Sequence, residues 1–190
     1  MCLNCPQRKQ RREAENQRNI AAGNPGDVDF IGMVRRWRTA NASKARPHDS
    51  GESQPRICIS VRKRPISDKE REKLDHDSVT CLNPEVWIHS ARFRVDGITK
   101  YLDHSSFKFD HAFGEEVSTD EVYKHTAMPL IDFVISGIGG RATVFAYGQT
   151  GSGKTFTMQG IQTMLCEDLF LLMTDDEMDD IEFFIERRVM

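Results

Sequence analysis

The apolar positions change rhythm several times along the chain. Residues 7–22, QRKQRREAENQRNIAA, favour helix by composition but carry almost no apolar face, so they read as an exposed basic helix or as disordered chain. After the breaker GNPG (23–26), Asp27 can cap a short helix through Thr39 in which Phe30, Val34 and Trp37 recur at i, i+4 and i+7. That stripe is expected to dock on the protein itself, with Arg35, Arg36 and Arg38 on the other faces. Residues 40–55 read as a linker. At Arg56 the texture becomes that of strands. RICISV (56–61) predicts a buried strand that Pro65 cannot continue, and SDKEREKLDHD a short exposed helix or loop. VTCL, VWIH, ARFRV and SFKFD then predict short strands of small hairpins.

From Ser118 the period returns to that of a helix. Ser118 with Glu121 three residues on is a capping signal, and Val122, Met128, Leu130, Ile131, Val134 and Ile135 can form a buried side up to GIGG (137–140). ATVFAY (142–147) is a compact apolar run of β-formers and predicts a central strand. From Ser152 a helix can run to Met173, with Met158, Ile161, Leu165, Leu169 and Leu172 near helical spacing. No internal repeat is found.

Composition narrows the class. The 190 residues are 38% apolar and 29% charged, an apolar share below that of a compact domain, so part of the chain is expected to lie outside a core. No window approaches the ~20 consecutive apolar residues of a membrane helix, and the N-terminus has no apolar segment after its charges, so the expectation is an intracellular protein with no membrane partner. Net charge is only −3, yet it is segregated: residues 1–65 hold 14 Lys/Arg against 6 Asp/Glu, and residues 164–190 hold 2 against 9. The basic arm implies an acidic partner. Five scattered cysteines, with Cys2 and Cys5 the one C-x-x-C, fit reduced thiols better than a metal or redox site.

Gly148 to Thr155, GQTGSGKT, fits the phosphate-binding loop G-x-x-x-x-G-K-[ST], set between a predicted strand and a predicted helix. Polyphosphate needs converging N–H donors, and Gly148, Gly151 and Gly153 leave the backbone free to supply them, with Gln149, Thr150 and Ser152 between. Lys154 brings a point charge for the phosphates, and Thr155 offers a hydroxyl to Mg²⁺. The alternative is a Gly/Ser-rich turn that happens to contain Gly-Lys-Thr. Hydrolysis needs more: an acidic residue on a second strand and a positioned water. Glu167, Asp168 and the TDDEMDDIE run (174–182) are the acidic residues after the loop; none ends an apolar strand, and no catalytic residue is assigned.

Residues 57–158 resemble the N-terminal part of a kinesin motor domain through VRKRP (61–65), FKFDHAF (107–113), DEVY (120–123) and above all TVFAYGQTGSGKTFTM (143–158). The resemblance implies an α/β fold: an incomplete kinesin-type phosphate-loop sheet with flanking helices and a small β-hairpin lobe, preceded by a flexible basic neck. It implies a neck and linker over 1–55, motor residues over 56–173, and an acidic tail of unclear origin over 174–190. It implies ATP or ADP with Mg²⁺ as cofactors. Arg62, Arg64, Pro65 and Phe156 would then flank the adenine, while Gly148 to Thr155 hold phosphates and metal. A proline face, an aromatic face and stacked arginines suit a base.

A narrower resemblance is to the kinesin-13 internal motors, whose members remove tubulin from microtubule ends. A basic neck, including FIGMVRRWR (30–38), precedes the motor residues, and Arg94-Val95-Asp96 stands where that class carries Lys-Val-Asp. It implies that Arg94, Val95 and Asp96 form a hairpin tip facing tubulin, and that the neck meets tubulin's acidic surface. The partners implied are tubulin and microtubules, in the cytoplasm and on its cytoskeleton, the spindle being one such place. The segments N-x-x-S-S-R-S-H and D-L-A-G-x-E, the family's switches, do not occur in these residues, so turnover by this chain alone is not expected. Two rival readings stand beside the motor: a non-catalytic tubulin-binding fragment acting through neck and tip, and an unrelated phosphate-loop ATPase whose arm binds nucleic acid. The arm has few interleaved aromatics and no nucleic-acid module, which ranks that one last and gives an expectation of no nucleic-acid partner. An incomplete sheet leaves edges and apolar faces uncovered, so marginal stability or self-association is also expected.

Overall fold

The computed structural model describes residues 5–48, 56–135 and 140–173. The chain forms two compact units, residues 1–48 with 59–116, and residues 49–58 with 117–190.

In the first unit, helix α1 (Cys5–Ala21) precedes α2 (Val28–Asn41). Asp27 caps α2 as its sequence implies, its carboxylate accepting the Asp29 and Phe30 amides at 2.9 and 3.3 Å. A 3-10 turn over Ala42–Lys44 follows. Strand β1 (Ser60–Arg62) pairs in parallel with β5 (His111–Phe113). Between them lie helix α3 (Asp68–Glu72) and the antiparallel sheet β2 (Val79–Leu82), β3 (Glu85–Phe93) and β4 (Lys100–Lys108), in that order. VWIH and the ARF of ARFRV, read as separate pieces, join in one nine-residue strand that ends at Phe93, before Arg94 and Val95. The expected strand over 56–61 is much shorter. Its partner β5 has three residues, so the ladder ends there, and Ile57 and Ile59 stay exposed rather than buried. The core gathers Phe30, Ile31, Val34, Leu82, Val86, Ala112 and Phe113, so the α2 stripe does dock on the protein itself. Trp37 completes it by lying 4.9 Å from Trp87, ring centre to ring centre.

In the second unit, one expected helix becomes two, α4 (Thr119–Thr126) and α5 (Met128–Ile135). Pro129 has no N–H to give the His125 carbonyl and its ring crowds that carbonyl, so the ladder breaks and Ala127 falls between the two helices. The Ser118 hydroxyl accepts the Glu121 amide at 3.2 Å, the cap the sequence signals. GIGG lies outside the described residues apart from Gly140, as does the acidic run 174–182. Helix α6 (Lys154–Met173) packs on α4 through Ile161 and Leu169. Gly160 permits the approach, because a Cβ there would fall 2.6 Å from the Thr119 methyl. The expected central strand 142–147 is not formed: it pairs with no strand among the described residues, and Phe145 and Tyr147 are 73% and 97% exposed. β-forming side chains cannot make a strand without a neighbouring ladder.

Candidate nucleotide loop and neck–hairpin surface

The loop 148–153 turns directly into the N-terminus of α6. Gly151 and Gly153 adopt φ of 81° and 94°, a backbone that side chains resist. The turn is held by the Ser152 amide donating to Gln149 O (3.1 Å), and the first helical bond runs from Thr157 N to Gly153 O (3.1 Å). The Lys154 ammonium folds back to donate to Gly148 O (2.7 Å) and Gln149 O (3.0 Å), the loop's own carbonyls. Ser152 Oγ is buried, with no hydrogen-bond partner among the described residues. A buried hydroxyl without a partner, a flexible cation satisfied only by carbonyls, and exposed first-turn residues at Thr155 and Phe156 all fit a polyphosphate group. Among the described residues no group of three His, Cys, Asp or Glu is placed to hold a metal. Asp168 is not spare for such a role: it accepts the hydroxyl of Tyr123, whose pKa rises through burial and this bond.

Arg62, Arg64 and Pro65 lie in the first unit and Phe156 in the second. Arg62 ends β1. Arg64 is engaged in a fork to Glu70 at 2.8 and 2.7 Å, which holds the Glu70 carboxyl far below its usual range.

The hairpin β3–β4 carries Arg94, Val95 and Asp96 at its tip, all exposed. The tip is preformed. Asp96 accepts the Ile98 and Thr99 amides at 3.0 and 2.9 Å and the Thr99 hydroxyl, while the Arg94 amide donates to Thr99 O at 2.8 Å. On the neck, Arg35 donates to Asn19 Oδ1 at 2.7 Å. Arg36 lines a cleft of about 650 Å³ with Arg8, Arg11 and Arg12. Arg38 instead turns inward, donating to Asp77 Oδ2, Thr80 Oγ1 and Val79 O, each at 2.8 Å. Lys63 Nζ meets the same Asp77 oxygen at 2.7 Å. Burial acts against the Asp77 charge, but the two cations outweigh it and its carboxyl stays below the usual range.

Sequence reasoning missed this inner polar network. His89 is 1% exposed; its Nε2 lies 2.8 Å from Thr80 Oγ1 and its Nδ1 2.8 Å from His104 Nδ1. Burial, then the neighbouring His104 and Arg38, push its pKa down to about 4. Asp77 and Arg38 stand 39 residues apart, and only the period-2 position of His89 opposite His104 hinted at the pair.

Comparison with known proteins matches the described geometry. A family profile, Kinesin motor domain, matches residues 62–190. Diatom spindle kinesin-1 of Cylindrotheca fusiformis is 55% identical over 183 residues, covering 94% of this chain and 29% of that protein. A solved structure of a KIF14 dimer in the two-heads-bound state, with AMP-PNP and in complex with a microtubule, aligns with a TM-score of 0.53 at 30% identity, over 65% of this chain and 35% of that one. The chain thus spans about a third of the length of these relatives. The 190 residues belong to the kinesin motor domain family.

Proposed function

We propose that this chain is the nucleotide-binding front portion of a microtubule-associated kinesin, holding ATP or ADP at Gly148 to Thr155. The carrying observation is the loop itself: positive-φ glycines, the buried unpartnered Ser152 hydroxyl and Lys154 bonded only to loop carbonyls, all at the start of α6. Lys154 would exchange those carbonyls for phosphate oxygens, and Thr155 would face Mg²⁺, which supplies charge neutralisation between phosphates when bound. Arg62, Arg64, Pro65 and Phe156 are assigned to the adenine. Residues 1–55 are read as neck and linker, 56–173 as motor and 174–190 as an acidic tail. The AMP-PNP and microtubule of the KIF14 complex are consistent with this reading. A fluorescent ADP analogue with Mg²⁺, titrated into this chain beside Lys154→Ala, tests it. Saturable binding in the parent with at least a roughly tenfold loss in the variant is expected; equal binding by both would refute the loop's role.

Within that reading we assign the depolymerising class, on the basic neck and the Arg94-Val95-Asp96 tip. Arg35 and Arg36 would meet acidic tubulin, with Arg38 anchoring the helix that carries them. Shortening of stabilised microtubules by a longer protein containing these residues, lost on replacing Arg94-Val95-Asp96 by alanines, is the expected result. A second reading, a tubulin-binding fragment without catalysis, is favoured by the neck and tip sharing a unit that lacks the phosphate loop. Salt-sensitive co-sedimentation with microtubules that survives Lys154→Ala would select it.

A further inference from the structure

Helix α2 is fastened to the β3–β4 hairpin at two levels. Trp37 lies 4.6 Å from His89 and stacks on His104 at 5.3 Å and 26°. Two turns earlier, roughly 10 Å along the helix, the first turn of α2 meets the last rung of the ladder, Phe93 opposite Lys100. Lys100 Nζ donates to Asp27 at 2.5 Å and Asp29 at 2.8 Å, and lies 5.3 Å from the centre of the Phe30 ring. Phe93 meets Phe30 edge-on at 5.7 Å. Arg12 of α1 joins through Asp29 at 2.9 Å.

This rung has a mechanical consequence. Only the six residues 94–99 lie beyond it, and they are already rigidified by Asp96. A two-stranded ribbon twists and bends readily, so the direction of a preformed tip depends on what holds its base. Burial works against the Lys100 charge, but the bonds to Asp27 and Asp29 outweigh it and raise its pKa, so the ammonium persists across neutral pH. Asp27 caps α2 through its other oxygen, so removing Lys100 does not uncap the helix.

We propose that Lys100 is a positioning residue: by joining the first turn of α2 to the last rung of the hairpin, it fixes the Arg94-Val95-Asp96 tip relative to the neck, so that both engage an acidic protein surface as one rigid body. The partner surface rests on the proposed function; the latch does not.

The test pairs a distance with a binding measurement on the full chain. Spin labels at Ala40→Cys and Val95→Cys, in a background with the five native cysteines replaced by serine, report the neck-to-tip distance by pulsed EPR. Parent and Lys100→Arg should give one narrow distribution, and Lys100→Met a broad one. In unlabelled chains, Lys100→Met should weaken microtubule co-sedimentation roughly tenfold, since two surfaces no longer act together. Lys100→Arg should restore it, and ADP binding should be unchanged in both. A distribution as narrow in Lys100→Met as in the parent overturns the proposal, and so does a broad one with undiminished binding. If the parent itself fails to bind microtubules, the surface reading fails and the distance measurement alone decides the latch.

Discussion

The two units enclose their apolar residues by different means. In the first, a helix, a hairpin and a parallel strand pair close on one another: Phe113 is fully buried, and even the polar His89 and Asn19 are enclosed. In the second, α4, α5 and α6 share a small core of Val122, Tyr123, Ala127, Ile131, Ile161 and Leu169, and the run before the phosphate loop leaves Phe145 and Tyr147 facing outward, as Phe93, Val95 and Ile98 do at the hairpin end of the first. The phosphate loop sits in the second. The loop 148–153 therefore stands between an apolar run that pairs with no strand among the described residues and a helix that buries Ile161 and Leu169. The proposed partner surface stands on the first unit, where strands are paired. Both tryptophans of the chain, Trp37 and Trp87, fall in the first unit, so tryptophan fluorescence follows its unfolding alone.

The largest effect is expected at Asp77. Asp77→Ala leaves half-buried Lys63 with Glu115 alone and the inward Arg38 without its anion, and should cost the first unit about 3 kcal/mol, read from the tryptophan denaturation midpoint. Loss of ADP binding in step with it would show that the halves do not differ as described.

Acid should separate the halves next. The His89 pKa of about 4 lies below the ordinary 6.5, so the unfolded chain binds the proton more readily. The stabilisation is present above pH 6.5 and is lost as pH falls towards 4, by up to about 3 kcal/mol. His89→Gln should flatten the tryptophan-detected stability between pH 7.5 and 5. An equally steep decline in the variant would move the cause elsewhere.

A smaller effect belongs to the second unit. Gly160→Ala gains helix propensity of about 1 kcal/mol but places a methyl against Thr119, a crowding of about 2 kcal/mol, so a net loss of about 1 kcal/mol is expected. Adding Thr119→Ser should recover it. Circular dichroism should register the change while tryptophan fluorescence does not.

Much of this was legible where the signal is local. The Asp27 and Ser118 caps, the α2 stripe, the β2 to β4 segments and the turn into α6 each follow from a few neighbouring residues. What depended on distant partners was not. ATVFAY reads as a strand by its side chains, yet a strand is made by its neighbours. RICISV shortened because β5 offers three residues. The Lys100 latch joins positions 73 and 71 residues apart, beyond the reach of any periodicity. At 148–155 the glycine-rich turn into a helix was readable from GQTGSGKT, while the self-bonded Lys154 and the enclosed Ser152 hydroxyl emerge only in the folded chain.

Hydrogen exchange of the chain, followed by mass spectrometry with and without saturating Mg·ADP, tests the central claim most directly. Without nucleotide, the amides of α2 and β3 should exchange far more slowly than those of 142–153. With nucleotide, residues 148–157 should gain protection and α2 should change little. Equal protection of 142–153 and β3 at the outset, or no gain at 148–157 on saturation, would contradict the account.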